Sequence, residues 1–307
     1  GGQNARTHQK RKGLNAMLHR RSFLQSLSIA PVATACFANS VMSQEKNDRI
    51  ALSTWSFHNY FPNTRYGKPE FELAEWKLEK VMDTAQSQIG ISNFELSSAH
   101  LASLENDYLL GLKKLAREKG YKYIHLSDNM KGVNLARADE AKRAEDFKRF
   151  VELISVAEKL GIPSMRVNTG TPEKPDWDIA TTIGQYKKLA AIGKDKGVEI
   201  IIENHFGISA DPMKVARIIE EVGENISSCP DFGLFKSEQE RTTGLPTMFK
   251  HAKRVCSAKF HGFDDQGKPK DFDLENCYKV LKASNYKGWV SLEYEGPKEP
   301  TAMLIKI

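Results

Sequence analysis

Eight short apolar runs, separated by stretches of helical periodicity, constrain the fold of this 307-residue chain more than any other feature. The runs lie at 50–57, 91–96, 121–126, 164–168, 198–203, 226–231, 255–261 and 289–293. Helical patterns fill the gaps at 73–86, 104–119, 139–160, 177–196, 212–222, 246–253 and 274–283. Gly120, Gly161, Gly197 and Gly223 stand where helices should stop. A strand and a helix recurring every 25 to 40 residues or so predict an α/β fold, a single-domain (β/α)8 TIM barrel over 50–307. A doubly wound sheet is the weaker alternative, because no Gly-x-Gly-x-x-Gly follows the first run to suit a dinucleotide. After the eighth run only 296–307 remain, so the closing helix reads as truncated. The long first connection, 58–71, carries Tyr60, Phe61 and Tyr66. Over a barrel mouth it would serve as a lid or substrate wall, or simply pack on the rim.

The formal net charge of +6 is misleading until it is divided. Residues 1–49 hold eight Lys and Arg against Glu45 and Asp48, so the remainder is neutral. A basic nucleic-acid face is therefore not expected. Residues 1–49 read instead as an extension with a cleavable export signal. Met17 offers a start, Arg20-Arg21-Ser22-Phe23-Leu24 a twin-arginine core, and 24–38 an apolar run broken by Pro31. Small residues at 33–35 and 38–40 offer cleavage points, and Ala35-Cys36 weakly resembles a lipoprotein site. The run is too short and polar for a stable membrane span, so a periplasmic or secreted protein is expected. The four cysteines are Cys36, Cys229, Cys256 and Cys277; the three outside the leader show neither zinc nor disulfide spacing, and Cys229 and Cys256, in apolar strand contexts, read as small core residues.

The run at 198–203 ends abruptly in Glu203-Asn204-His205-Phe206-Gly207. A β-branched strand terminating in a carboxylate, an amide and an imidazole delivers functional groups to the rim of a sheet. The last four runs end in Glu203, Asp231, His261 and Glu293, at gaps of 28, 30 and 32 residues. Each gap is one βα unit, so four side chains can converge at one barrel mouth. Acidic groups at the ends of apolar strands need a partner or a metal. This set suits a divalent ion: Mn²⁺, Mg²⁺, Co²⁺ or Zn²⁺. Glu295 shares a strand face with Glu293 and could exchange roles with it. Alternation also turns His205, Asn168, Trp55 and Glu95 towards such a pocket as candidate substrate-binding groups.

Four segments carry a resemblance: Ile202-Glu203-Asn204-His205, Pro230-Asp231-Phe232-Gly233, Ala258-Lys259-Phe260-His261-Gly262-Phe263-Asp264 and 288–296. Together they resemble the xylose-isomerase-like barrel superfamily of sugar phosphate isomerases and epimerases, which includes inosose-dehydratase-like members. The resemblance implies a metal held by Glu203, Asp231, His261 and Glu293, with Glu203 and Glu293 as acid and base. It implies a metal-dependent isomerase or epimerase passing a sugar or keto-sugar through an enediolate, with a keto-cyclitol or 3-keto-sugar dehydratase or lyase as the alternative. A carbohydrate-binding barrel without catalysis is the reading from another class. Leu234 stands where the ketose 3-epimerase branch has a histidine, and Asp231-Phe232-Gly233 is closer to the inosose dehydratase and secreted branches. Many relatives place histidine before lysine on the seventh strand; here Lys259 comes first, which makes it a candidate to stabilise the enediolate. The implied partner is a small carbohydrate, with no nucleic acid, and a homo-oligomer is compatible with this reading.

Overall fold

The computed structural model describes residues 49–130, 132–170 and 179–307, so the export signal expected over 1–49 lies almost wholly outside the described residues. Eight parallel strands follow in chain order: β1 Ile50–Ser53, β2 Asn93–Ser97, β3 Lys122–Ser127, β4 Ser164–Arg166, β5 Glu199–Glu203, β6 Ile226–Cys229, β7 Val255–Phe260 and β8 Trp289–Tyr294. Hydrogen bonding runs β6-β5-β4-β3-β2-β1-β8-β7, and the β6–β7 seam is joined by the single bridges Ser228↔Ala252 and Asp231↔Ser257. The helices are α1 Leu78–Thr84, α2 Asn106–Lys119, α3 Glu140–Leu160, α4 Ile179–Asp195, α5 Pro212–Val222, α6 Glu238–Phe249, α7 Leu274–Ala283 and α8 Pro300–Leu304. This is the expected (β/α)8 barrel. Among the described residues no helix is long and apolar enough to cross a membrane.

Alternation along each strand sorts side chains into two populations. Cys256, Ala258 and Phe260 of β7 and Val290 and Leu292 of β8 join the large apolar layer beneath the helices. The intervening positions enter the barrel. At its lower end Ala51, Ile124, Ile201, Cys229 and Val255 pack together, with Trp289 against them. Higher up, Ser257 and Ser291 are followed two residues later by Lys259 and Glu293, all buried. The polar groups thus stand on an apolar floor. Cys229 and Cys256 are buried free thiols, as their contexts suggested, and Cys277 is buried and free as well.

Three elements differ from the sequence reading, each through a tertiary contact. The first strand stops at Ser53, and Thr54–Tyr60 forms a 3-10 helix. Thr54 Oγ1 accepts from Ser97 N at 2.9 Å and Ser56 Oγ from Tyr294 N at 3.0 Å, so side chains finish the ladders a longer strand would have served. Helix α1 starts at Leu78 instead of 73, because Trp76 is pinned by its N–H to the Tyr60 carbonyl at 3.0 Å and stacks on Tyr60 at 4.0 Å. Helix α6 begins at Glu238, where the Ser237 hydroxyl caps Glu240 N at 3.2 Å, and it carries Pro246 inside. Its first turns are largely exposed, so no apolar period announced them. After β8 the chain forms the short α8, capped by the Glu299 carboxylate, which accepts from Thr301 N and Ala302 N.

His125 on β3 is 1% exposed, and its Nδ1 lies 2.9 Å from Ser164 Oγ. Burial, then the nearby Arg166 charge, pushes its pKa from 6.5 down to about 3. The unfolded chain binds this proton first, so the stability from a neutral His125 is complete above pH 6.5 and is lost as the pH falls towards 3. Each unit costs about 1.4 kcal/mol. Urea unfolding of wild type and His125→Gln at pH 7 and pH 5 is expected to show their stability difference moving by about 2 kcal/mol in favour of the variant at the lower pH. A difference that does not change with pH would contradict the assignment.

Candidate active site

The mouth of the barrel buries four carboxylates, Glu95, Glu203, Asp231 and Glu293, together with two cations, Arg166 and Lys259. Parallel pairing sets Lys259 directly beside Glu293, and both project inward. Lys259 Nζ lies 2.9 Å from Glu293 Oε1, 3.3 Å from Glu295 Oε2 and 3.9 Å from Asp231 Oδ2. Arg166, the last residue of β4, holds Glu203 Oε2 at 2.6 Å from Nη1 and donates to the Asp128 carbonyl from Nη2 at 2.8 Å. The sequence reading passed over Arg166. Its signal was an arginine closing an otherwise apolar strand, where a buried cation demands a carboxylate partner.

Asp231 is positioned by contacts of its backbone with the end of β5. Asn204 Oδ1 accepts from Asp231 N at 2.8 Å and Asn204 Nδ2 donates to the Asp231 carbonyl at 3.1 Å, clamping the ends of β5 and β6. Asp231 Oδ1 accepts from Gly233 N at 2.7 Å. A side chain at Gly233 would start 2.7 Å from the Lys259 carbonyl, so glycine lets this turn lie against β7.

Electrostatics divides the carboxylates. Burial and then the Glu293 charge push Glu95 up to about 7, and burial drives Asp231 well above its ordinary range in spite of Lys259. Burial acts on Glu293 in the same direction, but the adjacent Lys259 outweighs it and holds the carboxyl below the usual value. Burial opposes the charge on Lys259, yet Glu293, Asp231 and Glu203 raise its pKa above that of an ordinary lysine. Lys259 is therefore an ammonium at neutral pH, and Glu293 a carboxylate.

Trp55, Ser127, Asn129, Arg166, His205, Lys259, Glu293 and Glu295 line a pocket of ≈ 310 Å³, including its open mouth. Trp55 Nε1 donates to Glu295 Oε1 at 2.9 Å, and its ring stacks with His58, His100 and Tyr66 at 5.4, 5.7 and 6.3 Å. In the first connection Tyr66 is exposed and stacks on Trp55 without lining the pocket, while Tyr60 and Phe61 are buried in the core. Of the remaining candidates, His205 lines the pocket with Nε2 3.9 Å from Glu203 Oε2. Glu95 is buried on β2 among these charges. Asn168 Nδ2 donates to the Asp128 carbonyl at 3.1 Å, a backbone contact at the β4 end.

His261 does not join the cluster. It follows β7 and is 39% exposed, with Nδ1 3.2 Å from Asp271 Oδ2 and Nε2 3.8 Å from Glu295 Oε2. Alternation gives the inward place at the end of β7 to Lys259, and the last strand residue, Phe260, turns outward into the core. The expected set of Glu203, Asp231, His261 and Glu293 is thus not assembled. Among the described residues no group of three or more His, Cys, Asp or Glu side chains is arranged to hold a metal ion. The donors do not fit one: Glu203 is taken by Arg166 and Glu293 by Lys259.

A family model described as xylose isomerase-like TIM barrel matches residues 84–306, and the chain belongs to that family. No curated protein matches its sequence. Solved structures share the fold at low identity. The D-psicose 3-epimerase of Clostridium cellulolyticum H10, solved with D-tagatose, is 12% identical over 80% of this chain and 84% of its own, with a TM-score of 0.62. The 3-keto-D-glucoside 4-epimerase of E. coli is 14% identical over 84% and 96%, also at 0.62. The IolI protein, solved with a bound zinc atom, is 15% identical over 84% and 94%, again at 0.62.

The Arg166–Glu203 pair is nearly inaccessible to solvent. Removing one partner strands the other, so Arg166→Met is expected to lose about 3–5 kcal/mol of unfolding free energy. Removing both, as Arg166→Met with Glu203→Leu, should restore most of that loss. A double variant as unstable as the sum of the singles, by urea denaturation, would show that the two do not act as a pair.

Proposed function

We propose that this chain is an isomerase or epimerase of a small sugar or keto-sugar, moving a proton through an enediolate. The observation that carries this reading is Glu293, an ionised carboxylate in the pocket wall with the Lys259 ammonium 2.9 Å away. A C–H beside a carbonyl is acidic enough to transfer only when the oxygen that gains charge is stabilised as the proton leaves. Glu293 takes that proton, while Lys259 and Arg166, both in the wall, face the developing negative charge. Glu203 on β5, paired with Arg166 and set behind the lining residues, serves as the second proton carrier once it has taken up a proton from solvent. Return to the opposite face of the same carbon gives epimerisation, and return to the neighbouring carbon gives isomerisation.

The character of the pocket supports the substrate class. Its walls are polar apart from Trp55, whose ring offers one apolar face to a sugar. The epimerases that share the fold act, by their names, on ketoses and a keto-glucoside. With residues 1–49 read as an export signal, the enzyme would meet this substrate in the periplasm or outside the cell.

Proton NMR of candidate ketoses and 3-keto-sugars in D2O tests the reaction. Wild type is expected to exchange one carbon-bound proton with all hydroxyls retained. Glu293→Gln should slow this by about 10²–10⁴-fold. Loss of water in place of exchange would make the chain a dehydratase or lyase, and wild-type exchange rates in Glu293→Gln would reject the base.

A further inference from the structure

Three carboxylates converge on one ammonium at the centre of the mouth. Glu293, Glu295 and Asp231 place oxygens 2.9, 3.3 and 3.9 Å from Lys259 Nζ. Oxygens gathered this way from the ends of neighbouring strands are the donor type that a hard divalent cation takes. Here the positive centre is a side chain from β7, 2% exposed and anchored to the strand between Asp231 and Glu293. The imidazole that might have completed a metal set points instead to Asp271.

We propose that Lys259 is a built-in cation occupying the place a divalent metal would take, so that this site polarises its substrate without a metal. An ammonium has three N–H donors. Glu293, Glu295 and Asp231 hold Nζ by charge at 2.9, 3.3 and 3.9 Å, and Lys259 also lines the pocket, where its charge meets a substrate oxygen. Arg166 lines the same pocket, so the two side chains together present the charge of one divalent ion. No bond to Lys259 forms or breaks; its role is to hold charge on the substrate oxygen while the carboxylates move the proton. For the reaction itself the inference rests on the isomerase or epimerase reading. The claim about the cation is tested separately.

Lys259→His provides the test, because an imidazole is shorter than a lysine side chain by about one metal–nitrogen bond. A metal on the introduced ring would sit near the present Nζ, facing Asp231, Glu293 and Glu295. After dialysis against chelator and exposure to Mn²⁺, Co²⁺ or Zn²⁺, wild type is expected to retain no stoichiometric metal by elemental analysis and to keep its Tm. Lys259→His should retain close to one equivalent and gain about 5 °C or more at saturating metal. Wild type that retains one equivalent, or a folded Lys259→His that binds none, would overturn the proposal. If the variant does not fold, the wild-type metal content and Tm decide alone. None of these readouts uses a substrate, so a failed exchange experiment would reject the reaction and leave the assignment of the cation standing.

Discussion

The ion pair between Lys259 and Glu293 is the contact on which the rest of the site depends. Two full charges inside a protein are tolerated only when each has a partner at close range. That requirement fixes the register of β7 against β8, because a slip of one residue would turn Lys259 into the apolar layer under the helices and bring Phe260 into the barrel. Arg166 and Glu203 impose the same condition on β4 and β5. Between these pairs lies the β6–β7 seam, joined by single bridges and by the Phe232 N–H to Ser257 carbonyl and Ser257 N–H to Pro230 carbonyl hydrogen bonds. The close approach of Gly233 to the Lys259 carbonyl completes that join.

Function and stability are coupled through the same charges. Glu95, Glu203, Asp231 and Glu293 share one buried mouth with Arg166 and Lys259, and burial pushes Glu95 and Asp231 towards their protonated forms. Glu293 stays ionised because its partner is fixed. A proton acceptor beside a charge that can stabilise an oxyanion is what enolisation requires. Trp55 closes one side of the pocket, stacks with the rings of His58, Tyr66 and His100, and is tied to the acidic cluster through Glu295. Rigid strands therefore present the charged groups, and Trp55, just after β1, lines the space beside them.

Much of this was legible in the residues. The eight apolar runs gave eight strands in order, and most helices lie within a few residues of their expected limits, because periods of 2 and 3.6 follow directly from burial. Glu203, Asp231 and Glu293 do meet at the mouth, as one residue per βα unit implied. The failures share a cause. Trp76 left its helix to stack on Tyr60, Thr54 and Ser56 replaced backbone pairing with side-chain acceptors, and the exposed start of α6 carried no apolar signal. Each depends on a partner distant in sequence or on the lack of one.

The sequence alone determined the class of fold, the strand ends that carry acidic groups, and the alternation that makes Lys259 an inward residue of β7. Only the tertiary structure decided which groups meet. Spacing marked His261 as well as any other strand end, yet the end of β7 is turned so that Phe260 enters the core and His261 reaches Asp271. Arg166 gave no periodic signal, and its role became visible only when β4 set it against Glu203 at the end of the neighbouring strand β5. Local pattern states whether a side chain is inside or outside, whereas ion pairing is a matter of ångströms between strands, which only the closed barrel sets.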